Sequence, residues 1–298
     1  MAEFRSGFVA VCGRPNVGKS TLVNRMVGQK VSITSRRPQT TRHRILGIKT
    51  TAEAQVIYVD VPGVLPGGGG GLNQYLSRAA AGGVEGVDCV LLVISVPGWT
   101  KADMPALALA QRQNSPVVLV INKIDRLADR AALLPLIDMS REKMAFAGVV
   151  PVSARTGDGV SALEAAALAC LPVHPAQFPS DQVSDRGDRF MAAELVREQI
   201  FRSFGQEIPY AVTVTIDSFR QEPRLIRIEA TILVEKDGQK AILLGTSGLR
   251  LKEIGRRSRL EMQKLFGSKV YLGLWIKVRE GWSDDARALR NFGYGEDG

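Results

Sequence analysis

The sequence of 298 residues has no apolar run that approaches the length of a membrane span. Its longest apolar runs, such as Cys89–Val96 and Pro116–Ile121, have the length of a strand, whereas a membrane-spanning helix needs roughly 20 apolar residues. The chain also opens without a basic segment followed by an apolar one, so we expect no signal peptide. The sequence therefore offers no candidate for a membrane-spanning helix.

Cysteine is scarce, with three residues that are odd in number and widely separated along the chain: Cys12, Cys89 and Cys170. This pattern does not fit a disulfide framework, and two of the three lie in apolar runs typical of strands. We interpret them as buried, reduced thiols. Reduced thiols indicate a reducing compartment, and hence the cytoplasm.

Acidic residues are outnumbered, since 30 Asp and Glu against 39 Lys and Arg give a net charge of +9. The excess favours a polyanionic partner, either nucleic acid or an anionic membrane surface. Seven basic and no acidic residues lie between Arg25 and Lys49, and seven basic against two acidic between Lys240 and Lys264. Such runs can simply be solvated surfaces, but each adjoins a phosphate-binding motif, which favours contact with a polyanion.

The first half of the sequence alternates short apolar runs with helical patterns. We predict strands at Phe8–Cys12, Val56–Val59, Cys89–Ile94, Val117–Ile121 and Val149–Val152, and helices at Lys19–Met26, Ala102–Arg112, Arg130–Met144 and Val160–Leu171. This alternation predicts an α/β domain with a mostly parallel sheet and helices on both faces. Ligands of such sheets bind at the carboxyl ends of the strands.

A stretch rich in proline and polar residues, Pro172–Asp185, is typical of a linker, and the pattern changes after it. The following elements are predicted: a helix Asp188–Phe204 capped by Gly205, strands Tyr210–Asp217 and Leu225–Val234, an apolar turn Ala241–Leu244, a helix Leu249–Phe266, a strand Val270–Val278, and a closing helix and tail Trp282–Tyr294. We therefore divide the chain into an α/β domain at 1–172, a linker at 173–187 and an α+β domain at 188–298.

A phosphate-binding loop, GRPNVGKS from Gly13 to Ser20, stands between the first strand and the first helix. Its glycines let backbone N–H groups converge on phosphate oxygens, and the helix that follows directs its positive end to the same place. The Lys19 ammonium can reach the β- and γ-phosphates, and the Ser20 hydroxyl can ligate Mg²⁺. The motif in this setting predicts a binding site for a nucleoside triphosphate.

Three further segments follow in the order that such a site requires. Asp60 ends a strand and opens DVPG, so it can hold Mg²⁺ through water while the Gly63 N–H meets the γ-phosphate. Asp125 of NKID can accept two hydrogen bonds from guanine that adenine cannot donate, which selects GTP over ATP. The Lys123 stem can cover the base, and the Ala154 N–H can contact the guanine carbonyl.

The loop from Ser32 to Arg44 is polar and basic, and we expect one hydroxyl of Thr40 or Thr41 to join Mg²⁺ when GTP is bound. We interpret His43, one of two histidines, as a solvated loop residue. The predicted nucleotide-binding residues are Gly13, Arg14, Pro15, Asn16, Val17, Gly18, Lys19, Ser20, Thr21, Asp60, Val61, Pro62, Gly63, Val64, Asn122, Lys123, Ile124, Asp125, Ser153 and Ala154.

In the second half, GTSG at Gly245–Gly248 is a G-x-x-G between an apolar turn and a long helix. This arrangement is typical of a KH domain, in which a bare backbone loop clamps single-stranded nucleic acid. The predicted RNA-binding residues are Gly245, Thr246, Ser247, Gly248, Lys252 and Arg256. Arg259 lies on the same basic face of the helix, opposite an apolar stripe, and Ile242 and Leu244 are candidates for the floor that accepts unpaired bases.

The stretches GRPNVGKSTL, SITSRRPQTTRHR, DVPG, NKID and SAR, together with the C-terminal half, resemble the Era family of bacterial GTPases over nearly the whole chain. The resemblance implies a P-loop GTPase domain followed by a type II KH domain, and a slow GTPase that uses GTP, GDP and Mg²⁺. It implies that Thr41 is the switch threonine, which makes Ser20, Thr41 and Asp60 the metal ligands. It also implies that the RNA is the 3′ end of small-subunit ribosomal RNA, bound during assembly of the small ribosomal subunit.

The predicted catalytic residues for GTP hydrolysis are Lys19, Thr41, Gly63 and Asn16. Two positions, Val64 and Asn16, bear on the rate. Val64 stands where Ras-like enzymes carry the glutamine that orients the attacking water, so we expect a low intrinsic rate. Asn16 matches the asparagine with which related GTPases coordinate K⁺, although it can equally serve only to brace the loop. The glycine run Gly67–Gly71 departs from the polar residues usual in the family, and we expect it to be mobile and to weaken switching.

Two other functions use the same motifs. One is a signalling switch recruited to anionic lipid, for which the chain offers no lipidation motif, although peripheral association with the inner face of the cell membrane is compatible with its charge. The other is a tRNA-modifying GTPase, which would need a partner enzyme or cofactor domain that the sequence lacks. The leading interpretation is a monomeric, cytoplasmic assembly GTPase.

Overall fold

The computed structural model describes residues 3–64, 70–205 and 208–294. The chain forms two compact units. The first comprises Met1–Thr34, Thr41–Gly68 and Leu76–Asp185, and the second Ser35–Thr40, Gly69–Tyr75 and Arg186–Gly298. The division proposed from the sequence follows chain order, whereas the contacts also assign two short segments of the first half to the second unit.

The first unit is built on a six-stranded sheet. Its strands are β1 (Arg5–Cys12), β2 (Ile45–Thr50), β3 (Ala54–Asp60), β4 (Cys89–Ser95), β5 (Val117–Asn122) and β6 (Gly148–Pro151). They lie in the order β2-β3-β1-β4-β5-β6, and β2 alone among these pairs antiparallel with its neighbour. The mostly parallel sheet of the predicted fold class is confirmed.

Helices cover both faces of this sheet, which is why β3 and β4 are buried along their whole length. The helices of this half are α1 (Lys19–Val27), α2 (Gly71–Gly82), α3 (Met104–Gln111), α4 (Leu133–Arg141) and α5 (Val160–Ala169). Leu22 of α1 and Leu163 of α5 belong to one apolar cluster, whereas Leu107 of α3 and Leu136 of α4 belong to the other.

Two elements of this half were not predicted. The strand β2 directly follows the basic loop and forms a hairpin with β3 through the turn in which Thr51 N–H donates to Ala54 O at 2.8 Å. The helix α2 begins at Gly71 inside the glycine run, which obscures it because glycine is a poor helix former. Gly71 N–H donates to Asp284 Oδ1 at 2.9 Å. The expected mobility of Gly67–Gly69 lies outside the described residues.

The segment predicted as a linker lies along the first unit. The side chain of Gln55, which is buried, accepts hydrogen bonds from Gln177 N–H at 2.7 Å and Phe178 N–H at 2.9 Å. Further along, Val183 O accepts from Ile48 N–H at 2.9 Å, and Asp185 Oδ1 accepts from Leu46 N–H at 2.8 Å. These bonds pair backbone N–H groups on the outer edge of β2, which is an edge strand of the sheet.

The second unit has a three-stranded sheet, with strands β7 (Thr213–Glu222), β8 (Leu225–Val234) and β9 (Val270–Val278), and helices α6 (Asp188–Ser203), α7 (Asp237–Leu244), α8 (Leu249–Phe266) and α9 (Ala286–Asn291). The strand order is β7-β8-β9, antiparallel between β7 and β8 and parallel between β8 and β9. The order α6-β7-β8-α7-α8-β9 confirms the predicted α+β KH fold.

Two details of the prediction for this half are wrong. Residues 241–244 form the last turn of α7 rather than an apolar turn, because the helix begins earlier among polar residues at Asp237. Gly205 does not cap α6: the helix ends at Ser203 and Phe204 takes an extended conformation with φ −118°. The apolar stripe on α8 is confirmed, since Ile254 and Met262 are fully buried in the core of the unit.

The segment Ser35–Thr40 packs on α6 within the second unit. The buried Arg197 guanidinium donates to Thr40 O and to the Glu194 carboxylate, and Arg37 Nε donates to Phe201 O at 3.2 Å. The Arg197 guanidinium also lies 5.2 Å from the Phe201 ring centroid. A buried ion pair of this kind is sustained only by the hydrogen bonds that surround it.

The three cysteines are free thiols, and Cys12 and Cys89 are buried. In the part of the chain that the structure describes, no helix is both long enough and apolar enough to cross a bilayer.

Candidate nucleotide-binding and RNA-binding sites

The phosphate-binding loop joins β1 to α1, and two of its glycines have no room for a side chain. A Cβ on Gly13, at φ +151°, would lie 2.4 Å from Val93 O. A Cβ on Gly18, at φ +103°, would lie 2.4 Å from Asn122 Nδ2. Both residues also have positive φ, which glycine adopts without strain. The backbone of the loop is thus fixed from β4 on one side and β5 on the other.

Lys19 opens α1 and is buried, and its Nζ donates to Gly13 O at 3.0 Å and to Arg14 O at 3.1 Å. Burial lowers the pKa of Lys19 to about 8, although the Asp60 carboxylate acts in the opposite direction. Two carbonyl oxygens do not fully replace the water that the buried ammonium has lost, which is why its charged form is destabilised. The loop therefore holds a cation that phosphate oxygens would stabilise.

A carboxylate and two hydroxyls lie beside the loop. Both Asp60 side-chain oxygens are buried without a hydrogen-bond partner among the described residues. Burial raises the pKa of Asp60, against the opposing influence of Ser20 and Lys19. Ser20 Oγ lies 2.7 Å from Thr41 Oγ1. Oxygen donors of this type, one of them a buried carboxylate, fit Mg²⁺.

The adjacent Thr40 differs from Thr41. Its hydroxyl lies 2.6 Å from Ser35 Oγ and donates to Arg37 O at 2.7 Å, so it belongs to the turn of its own loop. Of the two hydroxyls left open by the sequence, the one on Thr41 is the one beside Ser20. His43 is buried, so the interpretation of a solvated loop histidine is wrong.

Gly63 of DVPG lies against the phosphate-binding loop. A Cβ there would be 2.8 Å from Pro15 N, and the next residue, Val64, donates its N–H to Gly13 O at 3.2 Å. Glycine is required by this approach of two backbones. The Val64 side chain is apolar and packs on the core beneath, so it cannot orient water.

Asn122 at the end of β5 connects three loops. Its Nδ2 donates to Val17 O at 2.8 Å, and its Oδ1 accepts from Lys123 N–H at 2.7 Å and from Ala154 N–H at 3.0 Å. The Ala154 N–H that we assigned to the guanine carbonyl is thus already engaged. Lys123 Nζ donates to Asn16 O, which ties the base loop to the phosphate loop a second time.

Asp125 is held ionised and in a fixed orientation. Its Oδ1 accepts from Ser153 Oγ at 2.6 Å, and its Oδ2 lies 2.8 Å from Arg155 Nη2. The hydrogen bond from Ser153 is the main cause that lowers the pKa of Asp125, and the Arg155 charge contributes. A charged carboxylate at a strand end is the acceptor that two adjacent N–H donors of a base require.

The side chains of the remaining predicted residues are buried or half-buried. Val17, Val61 and Ile124 are buried in the apolar clusters. Pro62 is buried, and Thr21 is half-buried within α1.

Two residues at the site, Arg155 and Asp103, were missed by the sequence analysis. Arg155 directly follows Ser153-Ala154, and this adjacency was the available signal. Arg14 Nε lies 3.0 Å from Asp103 Oδ1, and Arg14 Nη2 donates to Ser95 Oγ at 3.1 Å. Asp103 is distant in sequence and no motif marks it.

The G-x-x-G loop connects α7 to α8 in the second unit. Gly245 has φ +66° and ψ −176°, Ser247 has φ +52°, and Gly248 has φ +75°. A Cβ on Gly245 would lie 2.6 Å from Arg250 Cγ, whereas a Cβ on Gly248 would meet no atom within 4 Å. The loop presents bare backbone and the N-terminus of α8, as a clamp for phosphates requires.

The cations on α8 differ in their partners. Arg256 donates two hydrogen bonds of 2.8 Å to Glu253. These, with the hydrogen bond from Arg257, lower the pKa of Glu253 to about 2. Lys252 and Arg259 are exposed. Of the proposed floor residues, Ile242 is 45% exposed and Leu244 packs partly on the core.

Models of two protein families match the chain. The model described as 50S ribosome-binding GTPase matches residues 8–123, and the KH domain model matches residues 207–283. The two matched regions contain the phosphate-binding loop and the G-x-x-G loop, respectively.

Relatives match over nearly the full length. GTPase Era of Stenotrophomonas maltophilia is 53% identical over 288 residues, which are 97% of each chain. GTPase Era of Pseudomonas aeruginosa is 49% identical over 295 residues, 99% of this chain and 97% of the relative.

Two solved structures have a TM-score of 0.93 and 37% identity with this chain and cover 98% of it. One is Era in complex with MgGDPNP and nucleotides 1506–1542 of 16S ribosomal RNA, of which 99% is covered. The other is a variant of Aquifex aeolicus Era bound to GDP and AlF4−, of which 100% is covered. Because this chain has a P-loop site and a KH domain, and because its relatives match it over nearly their full length, it belongs to the Era family of GTPases.

Proposed function

We propose that this protein is a guanine-specific switch that hydrolyses GTP, binds the 3′ end of small-subunit ribosomal RNA through its KH domain and assists assembly of the small ribosomal subunit. The observation that carries the first part is the Asp125 carboxylate, which Ser153 orients and keeps ionised. The second part is supported by the bare G-x-x-G backbone and by the full-length likeness to an Era structure that contains this region of 16S ribosomal RNA.

Guanine selectivity follows from hydrogen-bond matching. Asp125, in the turn that follows β5, offers two acceptor oxygens, and guanine presents a ring N–H and an exocyclic amine that can donate to both. Adenine would leave the carboxylate facing a ring nitrogen that has no proton, and an unmatched charged acceptor costs about 1.5–3 kcal/mol per lost bond. Sites that read a polar group in this way reject the analogue strongly.

Ser20, Thr41 and Asp60 are the residues that would hold Mg²⁺. The fit is supported by the buried Asp60 oxygens that lack hydrogen-bond partners in the described chain and by the adjacent hydroxyls. When bound, Mg²⁺ neutralises charge on the β- and γ-phosphate oxygens. The protein itself positions the phosphates through the backbone N–H groups of Gly13–Lys19 and the Lys19 ammonium, and excludes a side chain at Gly63 where the γ-phosphate is sensed.

Hydrolysis in this site has no glutamine to orient water, because Val64 is apolar and packed on the core. We therefore propose a low intrinsic rate, with K⁺ held by Asn16 supplying the charge that an arginine finger supplies elsewhere. The Asn16 side chain is exposed and has no hydrogen-bond partner among the described residues, which favours this role over bracing the loop.

We propose a cytoplasmic location, with peripheral association at the anionic inner face of the membrane as a secondary property of a chain with net charge +9. Cosedimentation with anionic vesicles and RNA binding, compared over one salt series, separate a membrane role from an RNA role.

The first prediction concerns pH. Phosphate charge stabilises the Lys19 ammonium, so nucleotide binding raises the pKa of Lys19 from about 8. The affinity for MgGDP is therefore constant well below pH 8 and falls as the pH rises through 8, by up to about tenfold per pH unit. Calorimetry between pH 6.5 and 9, in two buffers of different ionisation enthalpy, measures the affinity and the proton uptake. Lys19→Met gives weak, pH-independent binding, and a pH-independent affinity in the parent protein would contradict the assignment.

The second prediction concerns K⁺. Turnover of GTP is faster in KCl than in NaCl at equal ionic strength, because the smaller Na⁺ does not fill the same coordination. Asn16→Ala hydrolyses GTP at equal rates in the two salts, while its affinity for GDP stays within about threefold of the parent. Equal rates for the parent protein in KCl and NaCl would refute the K⁺ role.

The third prediction tests the RNA function. Gly248→Asp places a carboxylate where phosphate should bind, at a position with open space for a side chain, and we expect at least about tenfold weaker RNA binding. Gly248→Asn is the matched control, because asparagine tolerates the same φ without the charge. Gly245 is a poorer choice since a Cβ there would clash with Arg250.

The measurement is crosslinking in cells followed by RNA sequencing. The parent and Gly248→Asn should crosslink the 3′ end of small-subunit ribosomal RNA, and Gly248→Asp should lose those reads. Undiminished crosslinks in Gly248→Asp, or reads that centre on another RNA in the parent, would overturn the proposed RNA target.

A further inference from the structure

Two large aromatic side chains on β9 are exposed and have no role in the site described above. Tyr271 is 47% exposed and Trp275 is 49% exposed. They alternate with Leu272 and Leu274, which pack on the core of the second unit. Both aromatic rings therefore lie on the outer face of the three-stranded sheet, opposite the helices.

As far as the structure describes it, to Tyr294, the C-terminal segment covers one end of that outer face. At this end Thr213 and Leu233 are buried, and the Tyr294 hydroxyl lies 3.1 Å from Thr213 Oγ1. Tyr294 stacks on the fully buried Trp282. Trp282 and Tyr294 of the tail are thus buried, whereas the two aromatic residues on β9 are left in solvent.

The open half of the face, which carries Tyr271 and Trp275, also contains a buried carboxylate oxygen. A Cβ on Gly273, between the two aromatic residues, would lie 1.9 Å from Glu229 Oε2 and 2.8 Å from the Trp275 ring. The absence of a side chain thus lets the indole and the carboxylate approach each other across the strand. Glu229 Oε2 is buried and has no hydrogen-bond partner in the described part of the chain, although a buried acceptor is normally paired.

Cations border the same surface. The Arg227 guanidinium lies 5.5 Å from the centroid of the Tyr271 ring and pairs with Glu222 at 3.1 Å. Lys277 is exposed next along the outward positions of β9. Aromatic rings beside cations match unpaired nucleotides, whose bases stack on rings and whose phosphates pair with Arg and Lys.

The outer face is continuous with the G-x-x-G helix around the edge of the sheet. In the described chain β9 is the last strand of the sheet order. α8 packs directly beside it, with Leu274 Cδ1 at 3.4 Å from the Cβ position of Gly255. An RNA strand that is clamped at Gly245–Gly248 and runs past α8 can cross this edge of the sheet and reach Trp275 without leaving the second unit.

We propose that the open half of the outer face is a second binding surface for single-stranded RNA, on which Trp275 and Tyr271 each stack one unpaired base. Arg227 and Lys277 contact the phosphates of the bound strand. The surface extends the RNA footprint beyond the G-x-x-G clamp, and it rests on the proposed RNA-binding function.

Two RNA lengths separate this surface from the clamp. A KH clamp holds about four nucleotides, so a tetranucleotide that occupies the clamp alone is compared with an RNA of about 12 nucleotides. In the full-length protein, Trp275→Ala with Tyr271→Ala weakens binding of the longer RNA by about fivefold or more and leaves the tetranucleotide unaffected. Trp275→Phe retains most of the affinity, and Leu134→Ala, which removes an exposed apolar side chain in the first unit, has no effect.

The salt dependence assigns the individual contacts. Arg227→Gln lowers the slope of log affinity against log salt by about 0.7, as expected for one lost phosphate contact with a single strand. Trp275→Ala weakens binding of the longer RNA at every salt concentration without changing that slope. If Arg227→Gln leaves the slope of log affinity against log salt unchanged, Arg227 does not contact a phosphate and that part of the proposal is wrong.

Equal affinity of the parent and the double variant for the longer RNA would overturn the second surface. The RNA function would stand in that case provided that Gly248→Asp still weakens both RNAs. If the double variant binds both RNAs normally but no longer cosediments with the small ribosomal subunit, the aromatic residues contact a protein, and the proposal is equally wrong.

Discussion

The side chain of Asn122 is the constraint on which the nucleotide site depends. Its amide donates to Val17 O of the phosphate-binding loop, and its oxygen accepts the N–H groups of Lys123 and Ala154. Three loops that are distant in sequence are thereby held at fixed separations, because each bond is short and Asn122 is buried. The same side chain leaves no space for a Cβ on Gly18. The distance between phosphates and base is thus set before any nucleotide binds, which reduces the entropy lost on binding.

The order of motifs along the chain was sufficient to predict the first fold and most of its site. The phosphate-binding loop, DVPG, NKID and Ser153-Ala154 each follow a strand, and the carboxyl ends of parallel strands converge. Local signals failed where they were weak or contradictory. The helix α2 starts within a glycine run, α7 starts among polar residues, and β2 is an antiparallel edge strand beside a basic loop. Arg14 with Asp103, and Arg197 with Thr40, join positions that no local pattern links, so only the folded chain reveals them.

The second unit has its chemistry on backbone and surface rather than in a cavity of buried charges. Gly245 and Gly248 adopt positive φ, which exposes N–H groups to a phosphate, and α8 keeps its apolar side on the core while its cations face solvent. Glu253 engages Arg256 and Arg257, so a phosphate has to compete for these cations, whereas Lys252 offers its charge without that competition. Binding that combines such contacts with stacking should depend on salt through the cations alone.

The central claim is that the Asp125 carboxylate selects guanine, and the affinities of Asp125→Asn for GTP, ATP and xanthosine triphosphate test it most directly. An amide cannot accept from both guanine donors, so two charge-assisted hydrogen bonds are lost and the affinity for GTP should fall by about 100-fold or more. Xanthine carries a carbonyl where guanine carries its amine, so xanthosine triphosphate should become the preferred ligand. A variant that still prefers GTP, or a parent protein that binds ATP as readily as GTP, would contradict the account.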